Sequence, residues 1–96
     1  MHAEYKVPGG KLVVVDCDVD AGHLAAVQVS GDFFLEPDSA LDMINAALDG
    51  MSASAAEAQI AATIRAALHV GVSLYGITPE GIAIAVRRAL GHGDAA

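Results

Sequence analysis

From Lys11 to Asp20 the chain alternates. Val13, Val15, Cys17 and Val19 fall on one side of an extended strand, and Asp16, Asp18 and Asp20 on the other. Successive strand side chains point to opposite faces, so this stretch predicts a strand with one buried and one solvated face. Asp20-Ala21-Gly22-His23 predicts a hairpin turn, with Gly22 supplying any positive φ. The partner strand is expected from Leu24 to Ser30, with Ala25, Val27 and Val29 on the buried face and Gln28 and Ser30 outside.

Further along, the apolar period changes from two to that of a helix. Leu41, Ile44 and Leu48 form a stripe over about Ser39–Asp49, with Asp38 or Ser39 as cap and Gly50 as the stop. Ser54-Ala55-Ala56-Glu57 has the capping-box pattern, and Ile60, Ile64, Ala67 and Leu68 line the helix it opens, which Gly71 closes. Thr78 and Pro79 start a third helix, striped by Ile82, Val86 and Leu90 and ended by Gly91. Arg87 and Arg88 fall in its last turn, where they complement the helix dipole. Val72–Tyr75 reads equally as a brief strand or a packed loop. The expected order is β-β-α-α-α, with residues 1–10 an irregular, flexible lead-in, 11–91 one domain and 92–96 a tail.

Ninety-six residues make one domain. A chain of this size buries only about 60–65% of the surface its unfolded form exposes, which leaves no room for a deep cleft. With 54% apolar and 18% charged residues, the composition is that of a folded protein. No apolar run reaches the ~18 residues of a membrane span, so no membrane role is expected. One cysteine permits no internal disulfide; together with an N-terminus that lacks a signal-like apolar stretch, this points to the cytoplasm. The net charge is −7, and no Lys or Arg occurs between Lys11 and Arg65. That interval holds Asp16, Asp18, Asp20, Asp32, Glu36, Asp38, Asp42 and Asp49, so a nucleic-acid partner is excluded on charge grounds.

Two of the four aromatic residues, Phe33 and Phe34, are adjacent, preceded by Gly31-Asp32 and followed by Glu36-Pro37-Asp38-Ser39. Phe rings bury roughly 150–250 Å² each, so this corner is expected to dominate either the core or a contact surface. In extended chain the two rings point opposite ways: one fills the core and the other is left for a partner.

No catalytic constellation is visible. Asp16-Cys17-Asp18-Val19-Asp20-Ala21-Gly22 has a calcium-loop flavour, but its glycine comes one place late and Val27 stands where a bidentate Glu is required. Cys17 lies on the apolar face and reads as an inert core thiol. His2, His23, His69 and His92 lack metal-ligand spacing, and no serine neighbours a histidine that would activate it. Val7-Pro8-Gly9-Gly10-Lys11 lacks the longer phosphate loop and its Ser/Thr.

Lys6-Val7-Pro8-Gly9-Gly10-Lys11-Leu12-Val13, a hairpin, and then Ser30-Gly31-Asp32-Phe33-Phe34-Leu35-Glu36-Pro37 resemble the accessory domain of lipoate–protein ligases. The closing Gly76-Ile77-Thr78-Pro79-Glu80-Gly81-Ile82 looks like the same domain's end, so the resemblance spans about residues 6–91. Beginning at Met1 and ending at residue 96, the chain is expected to be the separate-subunit form. The resemblance implies an α+β fold, a small antiparallel sheet with helices on one side, similar to iron–sulfur scaffold and sulfur-acceptor proteins. It implies an accessory subunit that is no enzyme by itself and binds no cofactor. A separate catalytic subunit would bind lipoate and ATP, form lipoyl-adenylate and acylate a lysine of an acceptor domain. The partner-facing candidates are Lys11, Gly31, Asp32, Phe33 and Phe34. Octanoate and biotin-like acids are handled by ligases of related architecture, so the acyl substrate stays open. The other classes are a sulfur or iron–sulfur carrier, for which a single inward thiol is poor equipment, and a homo-oligomeric interaction module.

Overall fold

The computed structural model describes residues 1–68 and 71–91. The elements run β1 (His2–Lys6), β2 (Leu12–Asp20), β3 (His23–Gly31), β4 (Phe34–Glu36), α1 (Ser39–Leu48), α2 (Glu57–Ala67), β5 (Ser73–Tyr75) and α3 (Pro79–Ala89). The first three strands form an antiparallel sheet in the order β1-β2-β3, and β4 pairs antiparallel with β5 in a separate ribbon. The fold is α+β, with the helices on one face of the larger sheet. That face carries Val13, Val15, Cys17, Leu24, Val27 and Val29, all buried, while Asp16, Asp18, Gln28 and Ser30 stay exposed.

The alternation in β2 appears as expected. In β3 it shifts phase. Asp16 pairs with Gln28 but Asp18 with Ala25, so Cys17 faces two residues, Ala26 and Val27. Ala26 takes φ +50, the left-handed residue of a bulge. Strict period two would bury Ala25 with Val27; the inserted residue buries Leu24 instead and leaves Ala25 half-exposed. The turn before it places both Ala21 and Gly22 at positive φ, the conformation that two-residue hairpins require.

Residues 1–10 are not the irregular lead-in expected from their sequence. His2–Lys6 is a strand in register with Leu12–Asp16. Its inward residues Ala3 and Tyr5 pack on the core, Arg88 stacks 4.8 Å over the Tyr5 ring, and Val7 is buried. The polar, charged alternation His2-Glu4-Lys6 disguised an edge strand, whose outer face tolerates charge. The stretch 92–96, expected as a tail, lies outside the described residues, as does His69.

α3 begins as its sequence predicts: the Gly81 amide donates to Thr78 Oγ1 at 2.9 Å, with Pro79 at the first helical position. α2 begins later. Its cap is Ala56, whose amide donates to Gln59 Oε1 at 2.8 Å, whereas Ser54 turns its hydroxyl to Ser52 at 2.8 Å. The capping box therefore uses Gln59 in place of Glu57, and only its backward half exists, since alanine has no acceptor.

The core is aliphatic. Ile44, Leu48, Ile60, Ile64, Ile82, Val13, Val15 and Val86 are the largest fully buried side chains, and no aromatic ring is among them. Each such side chain contributes roughly 1.5–3 kcal/mol on burial. Helix α1 and the Asp49 that follows it also close the outer edge of β3: Val29 N donates to Asn45 Oδ1 (3.0 Å) and Val27 N to Asp49 Oδ1 (2.9 Å). Capturing these donors removes the edge as a template for further strands. Arg87 donates to the carbonyls of Ala53 and Ala55, fastening α3 to the segment before α2.

Candidate functional site

Three stretches distant in sequence meet at one end of the molecule: Gly10-Lys11-Leu12, Gly31-Asp32-Phe33-Phe34 and Tyr75-Gly76. The Lys11 amide donates to the Gly76 carbonyl at 2.7 Å, and the Asp32 amide to the Leu12 carbonyl at 3.3 Å. Two glycines make this approach possible. Gly31 sits at φ +147, and a Cβ there would lie 2.1 Å from the Leu12 carbonyl oxygen. At Gly76, φ +89, a Cβ would lie 2.4 Å from Lys11 Cγ. Both positions reject any side chain, on backbone and on steric grounds.

From this junction β4 and β5 run as a ribbon, Phe34 opposite Tyr75, Leu35 opposite Leu74, Glu36 opposite Ser73. Directly paired residues share a face, so period two sends Leu35 and Leu74 inward and Phe34, Tyr75 and Glu36 outward. Leu35 is buried and Leu74 packs on the core. Phe34 and Tyr75 are 53% and 49% exposed, with ring centroids 5.4 Å apart. They are two of the three large hydrophobic side chains exposed among the described residues, the other being Met1. Beside them Phe33, Phe34, Leu35, Asp38 and Leu41 line a shallow groove of about 240 Å³.

The aromatic corner is therefore not the centre of the core. Phe33 is half-buried against the core, Phe34 is exposed, and Leu35 is the side chain this corner commits to the interior. Lys11, Gly31, Asp32, Phe33 and Phe34 are brought together. Lys11 and Asp32 are exposed, and neither forms an ion pair among the described residues. Asp32 takes part through its amide; its carboxylate accepts no hydrogen bond there, contrary to the turn-acceptor role its position suggests. Sequence reasoning missed Tyr75, Asp38 and Leu41. The signal for Tyr75 was present: Ser73-Leu74-Tyr75, bounded by Gly71 and Gly76, has the same outward-inward-outward pattern as Phe34-Leu35-Glu36.

Other features carry less chemistry. A larger groove, about 540 Å³, runs between Met51–Ala55 and α2. It holds no titratable side chain, and the hydroxyls of Ser52, Ser54 and Thr63 and the Gln59 Oε1 are taken up by local hydrogen bonds. Cys17 is buried, and desolvation pushes its thiol above the ordinary value. His2, on the open sheet face, sits between Asp16 (2.7 Å) and Glu4 (3.2 Å); those hydrogen bonds, Asp16 first, raise its pKa. No cluster of His, Cys, Asp or Glu suited to a metal ion occurs among the described residues, nor any helix long and apolar enough to cross a membrane.

Neither a protein-family model nor a curated protein matches the chain. A solved structure does: a chain from Thermoplasma acidophilum, in a structural study of an archaeal lipoylation system comprising a bipartite lipoate protein ligase and its E2 lipoyl domain. The TM-score is 0.74 at 28% identity, and the match covers 91% of this chain and 93% of that one.

Proposed function

We propose that this protein is the accessory subunit of a two-component lipoate–protein ligase, supporting lipoyl-adenylate formation by a separate catalytic subunit that binds lipoate and ATP. The likeness over nearly the full length of both chains to a component of a bipartite lipoate ligase system carries this reading. The site geometry is compatible with it. The Phe34–Tyr75 corner offers an apolar contact surface, and Lys11, Gly31 and Asp32 shape its base. In this reading the chain works by docking and leaves the chemistry to its partner.

The test is ATP–pyrophosphate exchange in the presence of lipoate. The 96-residue chain should give nothing above background; mixed with its catalytic subunit it should raise exchange well above that subunit alone. Turnover by the isolated chain, or no stimulation, would overturn the reading. The lipoylation system to which the comparison structure belongs also includes an E2 lipoyl domain. If this chain were instead the acceptor, Lys6 or Lys11, its two lysines, would gain a lipoyl mass in the same mixture. A sulfur carrier needs an accessible thiolate, and Cys17 is 4% exposed with its ionisation disfavoured. Thiol reagents should therefore label the native protein far more slowly than the unfolded chain; equal rates would favour the carrier.

A further inference from the structure

The groove beside Phe34 is lined by one acidic residue, Asp38, whose charge the fold does not use in a capping bond. Asp38 stands at the start of α1, where an aspartate ordinarily accepts a backbone amide. Here it makes no such bond. The first helical amides go instead to backbone oxygens, Ala40 N to Pro37 (2.9 Å) and Leu41 N to Asp38 (3.2 Å). Asp38 lines the groove with Phe33, Phe34, Leu35 and Leu41, and its carboxylate has no partner among the described residues. Asp32 and Glu36 lie within two residues of Phe34, and Asp42 follows Asp38 by one helical turn. All four carboxylates are exposed, and none has a hydrogen-bonded or ionic side-chain partner among the described residues.

This pattern rejects a second copy. Lys11 is exposed at the same corner, but against four carboxylates it leaves the patch net negative. A two-fold contact would therefore set like net charge against itself in a chain already at −7. An apolar centre with a net negative rim instead matches an apolar centre with a net positive rim. We propose that the corner receives a basic, partly apolar segment of the partner subunit. An arginine or lysine of that segment enters the groove and meets Asp38, while its stem and neighbours lie on Phe34 and Tyr75. Cationic side chains suit such a seat because they combine an apolar stem with a charge and also stack on rings.

This inference rests on the accessory-subunit reading, and the experiment separates the two. The dissociation constant for the catalytic subunit is measured by calorimetry at low and high NaCl, for wild type, Asp38→Asn and Asp38→Lys. Circular dichroism melts check folding. Asn caps helices as well as Asp does, and the native Asp38 side chain caps nothing. Asp38→Asn should therefore stay folded, with only a small drop in Tm from the lost attraction to the helix dipole. Expected results are weaker binding at high salt, a loss of roughly fivefold for Asp38→Asn, a larger loss for Asp38→Lys, and a flatter salt dependence in both. A complex that forms and stimulates exchange, yet ignores salt and both substitutions, overturns the inference and leaves the reading standing. No complex with wild type at any salt overturns both. Sedimentation showing a homodimer that Phe34→Ala dissolves would also overturn the inference.

Discussion

The two sheets of this small protein are built to opposite specifications. The three-stranded sheet buries one face under aliphatic helices, and Asn45 of α1 with the C-cap Asp49 occupies amides at the outer edge of β3. The β4–β5 ribbon is only three residues long on each strand and turns its two aromatic rings outward. A two-stranded ribbon is marginal by itself, so this one depends on Leu35 and Leu74 reaching the core. The molecule thus keeps its stability in aliphatic packing and presents its aromatic surface where stability needs it least. Large apolar groups left in solvent point to a contact surface when they are grouped, as Phe34 and Tyr75 are.

The largest effect expected on the sheet side comes from Ile82→Ala. Ile82 is fully buried, and its truncation should cost about 2–5 kcal/mol. In a domain of this size that lowers Tm by 10 °C or more. A smaller shift would mean the core collapses around the cavity, which would weaken the contrast between the two regions.

Gly31→Ala tests the hinge between them. The added Cβ would meet the Leu12 carbonyl and strain a positive-φ residue, for a loss of about 2–4 kcal/mol. Because the junction carries the ribbon, stimulation of the partner should fall even at temperatures where the variant is folded. Thermal melting and pyrophosphate exchange, measured side by side, check this.

Phe33→Ala and Phe34→Ala sharpen the comparison within one dipeptide. Phe34 is half-exposed and packs its ring on Tyr75, so its removal should cost clearly less stability than removal of Phe33. In the docking reading it should weaken partner binding by about 2 kcal/mol, roughly thirtyfold. Phe33, packed on the core, should reverse that order, melting early and binding nearly normally once folded. If both variants lose only stability, the ribbon is an outpost of the core and the docking surface lies elsewhere.

The smallest effect concerns the N-terminal edge strand. His2 has its pKa raised by Asp16 and Glu4, so the protonated form is favoured in the folded state. The resulting stabilisation is fully present below the unfolded pKa of about 6.5 and is lost as pH rises through the raised folded value. The group is fully exposed, so the effect should be slight and screened by salt. His2→Gln should remove it; melts across that pH window compare the two proteins.

Much of this architecture was legible in the residues. The β2 alternation, the turn at Asp20–His23, the Thr78-Pro79 helix start and the inward Cys17 all depend on neighbours within a few positions, where spacing and side-chain chemistry act directly. The five residues singled out at the corner do come together, because Gly31 and its neighbours mark a tight passage of the backbone. Less was legible where distant segments decide. The bulge at Ala26 resets which residues of β3 are buried, and no local rule distinguishes Ala25 from Leu24 as the inward residue. β1 exists because β2 offers an open edge and Arg88 covers Tyr5. β4 and β5 are three-residue stretches that become strands only by finding each other across two helices. Asp38 reads as a helix cap, and only the packed structure leaves its side chain without a capping bond and the residue at the lining of a groove. Periodicity and capping are properties of a single segment, and the sequence by itself determined them. Pairing, phase and exposure depend on what another segment brings to the contact, and those only the tertiary structure decided.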